Sequence, residues 1–505
     1  MCKDLLIDQL ENMFMYIALA IFTIYLLILM RNRKKLPPGP WSLPIVGYLP
    51  WLDPKEPYKT LQKLAKKYGP VYGIYMGNIY TVVLSDTKII RKVFSKDETT
   101  GRAPLYLTHG LMKGYGIICS EGELWKNQRK FVYGCLRQFG GTKVGSHTTM
   151  ENLIKKHALE FTDYVSSLGN SASIIPSEHL RHYLGSFMTT IVFGECWSKD
   201  DETWKYLQHL QEEGIKHIGI AGPLNFIPIL RFLPMFKKTV KFLTEGLEKT
   251  HKIYDGIIEK HQETLREKLA VNSDYAPQNF LDAFLLEREK KHNSSEAKFY
   301  SDQQMKYLLA DMFGAGLDTT LTTLNWYILY IAIHTDFQKK VREELESVLE
   351  GKTASMKDFQ YLPFFEASIA EVQRIRSTVP IGIPHGTLCD IDINGFIIPS
   401  NTMVVPLLWA VHMDDKAWKD PDNFNPYRFL DENGKFFKPE HFIPFQIGKR
   451  MCVGDELAKM LLYFFCSIIL QIYELSVDNI KDIDLRGKCG ITLTSIDHKI
   501  TFRKY

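Results

Sequence analysis

The chain has eight cysteines in 505 residues but no C-x-x-C pair and no short repeated spacing. Cys2, Cys119, Cys135, Cys196, Cys389, Cys452, Cys466 and Cys489 are scattered along it. That scatter excludes a disulfide framework and a zinc module, and it fits a domain facing a reducing compartment, with most of these thiols serving as small core side chains. Internal repeats and long low-complexity linkers are also lacking, so the length reads as one large domain rather than an array. A net charge of +4 is too small for this length to imply nucleic acid as a partner. With 45% apolar and 24% charged residues, disorder is excluded for most of the chain.

Charge is missing altogether from Met13 to Met30, which reads MFMYIALAIFTIYLLILM. Eighteen residues are about the minimum that spans a hydrocarbon core as a helix. Arg31, Arg33, Lys34 and Lys35 follow it, whereas Asp4, Asp8 and Glu11 precede it, an asymmetry that places the following domain in the cytosol. A cleaved signal peptide would carry its basic cluster before the apolar run and close on small residues, and neither is present. Leu36-Pro37-Pro38-Gly39-Pro40 then stops the helix and stiffens the exit. The expected organisation is a lumenal terminus at 1–12, a transmembrane anchor at 13–30, a basic and proline-rich hinge at 31–40, and the main domain at 41–505.

Within that domain, Val71 to Met76 and Tyr80 to Leu84 flank Gly77-Asn78 and predict a hairpin. Helical periodicity dominates afterwards, over 152–168, 202–217, 239–268, 301–334, 336–349 and 364–377. Strand signals return near 389–398, and 490–502 is expected to form another hairpin. The fold class is mainly α with a minor β region.

Phe445-Gln446-Ile447-Gly448-Lys449-Arg450-Met451-Cys452-Val453-Gly454 precedes an apolar helical run from Glu456 to Tyr473. A cysteine just ahead of a helix meets amide donors and the positive dipole end, which favour the thiolate. Gly448 and Gly454 leave room for a flat group close to the backbone, and Arg450 suits an anion on its rim. Glu371 and Arg374 are one helical turn apart, and Arg428 follows in Phe424-Asn425-Pro426-Tyr427-Arg428-Phe429. Gly314-Ala315-Gly316-Leu317-Asp318-Thr319-Thr320 places two glycines inside a helical pattern, where each costs on the order of 1 kcal/mol against alanine and so asks for a reason. The Thr319 hydroxyl is placed to divert a backbone hydrogen bond and widen the helix, and Asp318 to relay protons. Trp125 and Arg129 lie one turn apart on a helix, a spacing that suits a carboxylate.

The pattern F-x-x-G-x-R-x-C-x-G resembles the haem-binding signature of the cytochrome P-450 family, with Gln446 standing where many members carry glycine. The other motifs follow in the family's order, and the resemblance runs from Pro37 to the end. It implies the cytochrome P-450 fold, haem b (iron protoporphyrin IX) with Cys452 as axial ligand of the iron, and a monooxygenase that puts one oxygen atom of O2 into a C–H bond. By the same resemblance Trp125, Arg129, His385 and Arg450 face the haem propionates. Phe445, Ala315 and Gly316 border the ring, and Asp318 and Thr319 form the acid–alcohol pair that delivers protons. Glu371, Arg374 and Arg428 form a buried structural triad. The anchor then implies a single-pass protein of the endoplasmic-reticulum membrane. Electrons would come from NADPH through a diflavin NADPH-cytochrome P-450 reductase or cytochrome b5, drawn to Lys126, Lys130, Lys449 and Lys459.

Ala103 to Gly116, the 301–320 helix face, Val379 to Pro384 and Ile491 to Thr494 are the expected pocket walls, apolar with scattered hydroxyls, as suits a lipophilic, steroid-like substrate. The runs 374–386 and 442–446 resemble insect members that hydroxylate moulting-hormone steroids, most of all the ecdysteroid 25-hydroxylase. A 26-hydroxylase that inactivates the hormone, a juvenile-hormone epoxidase and a xenobiotic hydroxylase are the alternatives. An isomerase or a haem sensor would need no proton relay.

Overall fold

The computed structural model describes residues 36–139, 147–218 and 222–505, together with Met13, Tyr16 and Ala20. The expected anchor at 13–30 and its basic flank therefore lie almost wholly outside the described residues. Among those that are described, no helix is long and apolar enough to cross a membrane.

The organising element is the helix Asp302–Ile333, capped by the Ser301 hydroxyl, which accepts from the Gln304 amide. It is apolar around nearly its whole circumference, as a helix must be when neighbours cover every face. Leu308, Leu309, Phe313, Leu317, Leu321, Leu324, Trp326 and Ile328 are all buried. The helices Pro176–Phe193 and Asp455–Ile472 pack against it. Pro363–Ile375 and Thr335–Leu349 complete the helical body beside them.

Strands β1 (Val71–Met76) and β2 (Ile79–Leu84) form the expected hairpin, and Gly77 takes φ 58° at the first turn position that glycine favours. β3 (Gly101–Arg102), β4 (Ser171–Ile174), β5 (His385–Gly386), β6 (Ile391–Ile393), β7 (Phe396–Ile398) and β8 (Met403–Pro406) follow, then β9 (Tyr473–Ser476), β10 (Lys488–Cys489), β11 (Leu493–Thr494) and β12 (Ile500–Lys504). The largest sheet runs β1-β2-β8-β5-β3. In it Arg102 stands opposite His385, so two short strands distant in sequence deliver both side chains to one place.

The single carboxyl-terminal hairpin expected over 490–502 is replaced by two units. β10 pairs with β11 alone, while β12 lies between β4 and β9. β12 satisfies two edges at once there, which a hairpin with β11 would not do.

Candidate haem-thiolate site

Cys452 sits just before the helix Asp455–Ile472, as its sequence context predicts. Its amide donates to the Phe445 carbonyl at 3.0 Å, closing the loop on itself. Gln446 adopts φ 59°, the left-handed region glycine favours, which explains what a glycine would do at this position. Here its side-chain amide points towards the Ile383 carbonyl at 3.4 Å. Gly448, at φ 92°, serves packing rather than an open approach. A Cβ there would meet the Phe94 carbonyl oxygen at 2.3 Å. Gly454, by contrast, has open space around it.

The Cys452 thiol is accessible, yet burial in the surrounding protein is the largest influence on it, so it opens onto an interior cleft rather than the outer surface. Burial pushes the thiol up. The Gly454 amide, Arg129 and Lys459 pull it down without prevailing. The amide at the helix start favours the thiolate, as its position implies, and the deep apolar setting works against it. Metal coordination deprotonates a thiol outright, and iron is the kind of partner this sulfur suits.

Above the loop lies a cluster of cations. Arg450 donates to the carbonyls of Thr100 and Ser120, each at 2.8 Å, and to that of Ile117 at 3.0 Å. Its guanidinium stacks over the Trp125 ring at 4.7 Å, and Arg129 lies 6.0 Å from the same ring. Arg129 also donates to the Met451 carbonyl at 2.7 Å, tying the helix Gly122–Phe139 to the cysteine loop. His385 is stacked on Phe94 at 3.8 Å, with Nδ1 on the Thr99 carbonyl at 2.7 Å. Arg102, which sequence reasoning missed, donates from Nε to the Ile118 carbonyl at 2.6 Å.

Burial pushes Arg102 down to about 10 and lowers Arg129, Arg450 and His385, with the cations adding to one another's strain. Among the described residues, Arg450 Nε is buried without a hydrogen-bond partner, and His385 Nε2 is buried with only the neighbouring Gln446 amide beside it. Crowded, desolvated cations with orphaned polar atoms call for an anion, and the two carboxylates of a haem edge fit that demand.

On the central helix, Ala315 is exposed although it lies mid-helix among buried residues, so it borders the interior cleft. Thr319 Oγ1 donates to the Ala315 carbonyl at 2.7 Å. That is the side-chain bond to the backbone expected of this hydroxyl, made within a helix that is α from Asp302 to Ile333. Gly316 lies against Met188, whose flexible end would lie 2.3 Å from a Cβ there, so a larger residue would have to displace it. Asp318 is buried and accepts from Thr492 Oγ1 at 2.8 Å. Burial raises its carboxyl against the pull of Thr492 and Arg181. The acid and the alcohol are neighbours in sequence but bond to different partners.

Glu371, Arg374 and Arg428 come together as expected. Arg374 grips Glu371 through Nε at 2.7 Å and Nη2 at 2.8 Å, and Arg428 Nε reaches the same carboxylate at 3.2 Å. Glu371 and Arg374 are fully buried. Arg374 also donates to the carbonyls of His412 and Pro421 at 2.9 and 2.8 Å. His412 Nε2 in turn accepts the Ile443 amide at 3.0 Å, which carries the tether onward to the cysteine loop. Phe445 is half-buried beneath Lys459 at 5.7 Å. Lys126, Lys449 and Lys459 are engaged with Glu123, Asp97 and Asp455, surface pairs of small energetic weight.

Comparison with known proteins agrees with this geometry. Residues 37–502 match the family model described as Cytochrome P450. The chain is 38% identical to cytochrome P450 306a1 of Drosophila melanogaster, over 93% of this chain and 89% of that one. It is 32% identical to cytochrome P450 18a1 of the same fly, over 94% and 88%. Human cytochrome P450 2J2 is 30% identical, over 93% and 91%.

Proposed function

Since the chain belongs to the cytochrome P450 family and is therefore a monooxygenase oxidoreductase, we propose that it hydroxylates an insect steroid, as the ecdysteroid 25-hydroxylase of moulting-hormone synthesis. Haem is the family's prosthetic group and supplies the redox-active iron at which O2 is reduced. In this reading Cys452 would hold the iron through its thiolate. Arg102, Trp125, Arg129, His385 and Arg450 hold the propionates, with Phe445 and Ala315 against the ring. Thr319 holds a proton at Oγ1 beside the cleft, and Asp318 resupplies it after leaving Thr492.

The observation that carries the proposal is the pairing of an accessible but deep Cys452 thiol with the orphaned Arg450 Nε. Such a pair suits a group with a metal at its centre and acids at its edge. The steroid class is supported by the runs at 374–386 and 442–446 and by two insect cytochromes P450 among the relatives. Electrons come from NADPH through a diflavin reductase, with the protein anchored in the endoplasmic-reticulum membrane by 13–30.

The test is incubation of the membrane-bound holoprotein with reductase, NADPH and a panel of ecdysteroid precursors, read by mass spectrometry. NADPH-dependent 25-hydroxylation is the expected result. Oxidation at carbon 26 alone, or product without NADPH, overturns the proposal.

A further inference from the structure

One face of the central helix carries polar side chains turned to the backbone of a loop. Gln304 makes a two-way pair with Gly116, accepting its amide at 3.0 Å and donating to its carbonyl at 3.1 Å. One turn on, the Tyr307 hydroxyl donates to the Leu111 carbonyl at 3.3 Å. Another turn on, Asp311 Oδ2 accepts from the amides of Ile117 at 2.7 Å and Ile118 at 2.9 Å. All three side chains are buried. The spacing i, i+3, i+7 puts them in one row.

The loop they hold is 103–118, which takes in the pocket wall expected at Ala103 to Gly116 and the two residues after it. It has little regular structure of its own beyond a π-helical turn at Tyr106–Leu111. Gly116, at φ 78°, lets the chain pass so close that a Cβ would sit 2.1 Å from Asp311 Oδ2. The same peptides face the cation cluster from their other side. The Ile118 carbonyl accepts from Arg102, and the carbonyls of Ile117 and Ile118 both accept from Arg450 Nη2. A carboxylate, two peptides and two guanidinium groups thus form one continuous chain of hydrogen bonds. Apolar residues would fill this interface with less desolvation. What the polar row adds is a single defined position for the wall.

We propose that Asp311 is a positioning residue, which with Gln304 and Tyr307 sets where the 103–118 wall stands against the central helix and, through the Ile117 and Ile118 peptides, where Arg102 and Arg450 point. The functional part of this role rests on the haem monooxygenase reading. Burial pushes Asp311 up to about 7, so its charge is open to titration near neutrality. The groups facing it are Arg102, Arg450, Cys119 and Tyr254.

The experiment compares full-length holoprotein with Asp311→Asn and Gln304→Ala by hydrogen exchange over 111–118 and by carbon monoxide association with the reduced form. Loss of a charged acceptor predicts exchange at Ile117 and Ile118 faster by roughly tenfold or more in Asp311→Asn. Carbon monoxide association in the wild type should quicken as pH falls through about 7. That step should be absent from Asp311→Asn. Unchanged exchange, or a pH step that survives the substitution, overturns the proposal. If Asp311→Asn does not fold, Gln304→Ala decides through exchange at Gly116, which must also rise. A wild type lacking the thiolate–carbon monoxide spectrum would sink the haem reading alone, because the exchange comparison does not depend on it.

Discussion

Arg102 and His385 stand directly opposite one another across the antiparallel β3–β5 pair, each buried and each within the cluster of Arg129 and Arg450. Placing a guanidinium against an imidazole in a dry setting destabilises both charges unless an anion joins them. Arg102→Met should therefore retain the fold but release haem roughly ten to a hundred times faster, the equivalent of one charge-assisted hydrogen bond. Transfer of haem to apomyoglobin measures this, and an unchanged rate would remove Arg102 from the propionate site.

Glu371 carries a different weight. It is fully buried and accepts from Arg374, Arg428 and the Asn425 amide. Glu371→Ala leaves two guanidinium groups without their carboxylate and should cost about 3–5 kcal/mol, enough to lose folded protein at 37 °C. Arg428→Lys keeps a charge on the more exposed member and should cost less. Denaturant unfolding of the two variants, followed by haem absorbance, ranks them, and equal losses would contradict the geometry.

His412 makes stability depend on pH. Its Nε2 accepts the Ile443 amide and its Nδ1 pairs with Ser377 Oγ at 2.8 Å, so the ring is held neutral. Burial, with Arg374 and Lys438 nearby, pushes it down from 6.5 to about 3. The unfolded chain takes up a proton below 6.5 that the folded chain refuses. Its contribution is thus fully present above that value and drains away towards pH 3, by up to about 1.4 kcal/mol per pH unit. His412→Asn should flatten this part of the stability profile while lowering stability at neutral pH. Chemical denaturation at a series of pH values tests it.

The triad and the cysteine loop were legible in the sequence because their members lie within short motifs whose spacing reports one helical turn or one tight loop. Arg102 was not, since nothing near it in the chain announces β5, and its role exists only once two two-residue strands pair. Gln304 and Asp311 were hidden for a similar reason: their partners are main-chain atoms of a distant loop, which leave no side-chain signature. Gly448 reads in the sequence as room for a flat group, but the Phe94 carbonyl that a Cβ there would meet is a tertiary neighbour that periodicity does not reveal. Over 490–502, strand propensity identifies a strand without naming its partner, and β12 pairs with β4 and β9 rather than with β11.

Asp318 and Thr319 give the last test, because their hydrogen bonds separate them. Thr319 is committed to the Ala315 carbonyl at the cleft, whereas Asp318 is committed to Thr492 behind it. If Asp318 resupplies protons, it must release Thr492 during turnover, and its raised carboxyl makes the protonated form accessible for that task. Asp318→Asn should then lower kcat by about 10²-fold, the usual scale for losing a positioned acid or base, with little change in KM. NADPH should still be consumed, its electrons appearing as peroxide rather than product. Thr492→Val frees the carboxyl without removing it and should leave coupling intact. A fall in both kcat and coupling in Thr492→Val, with none in Asp318→Asn, would assign the proton path to Thr492 and not to Asp318.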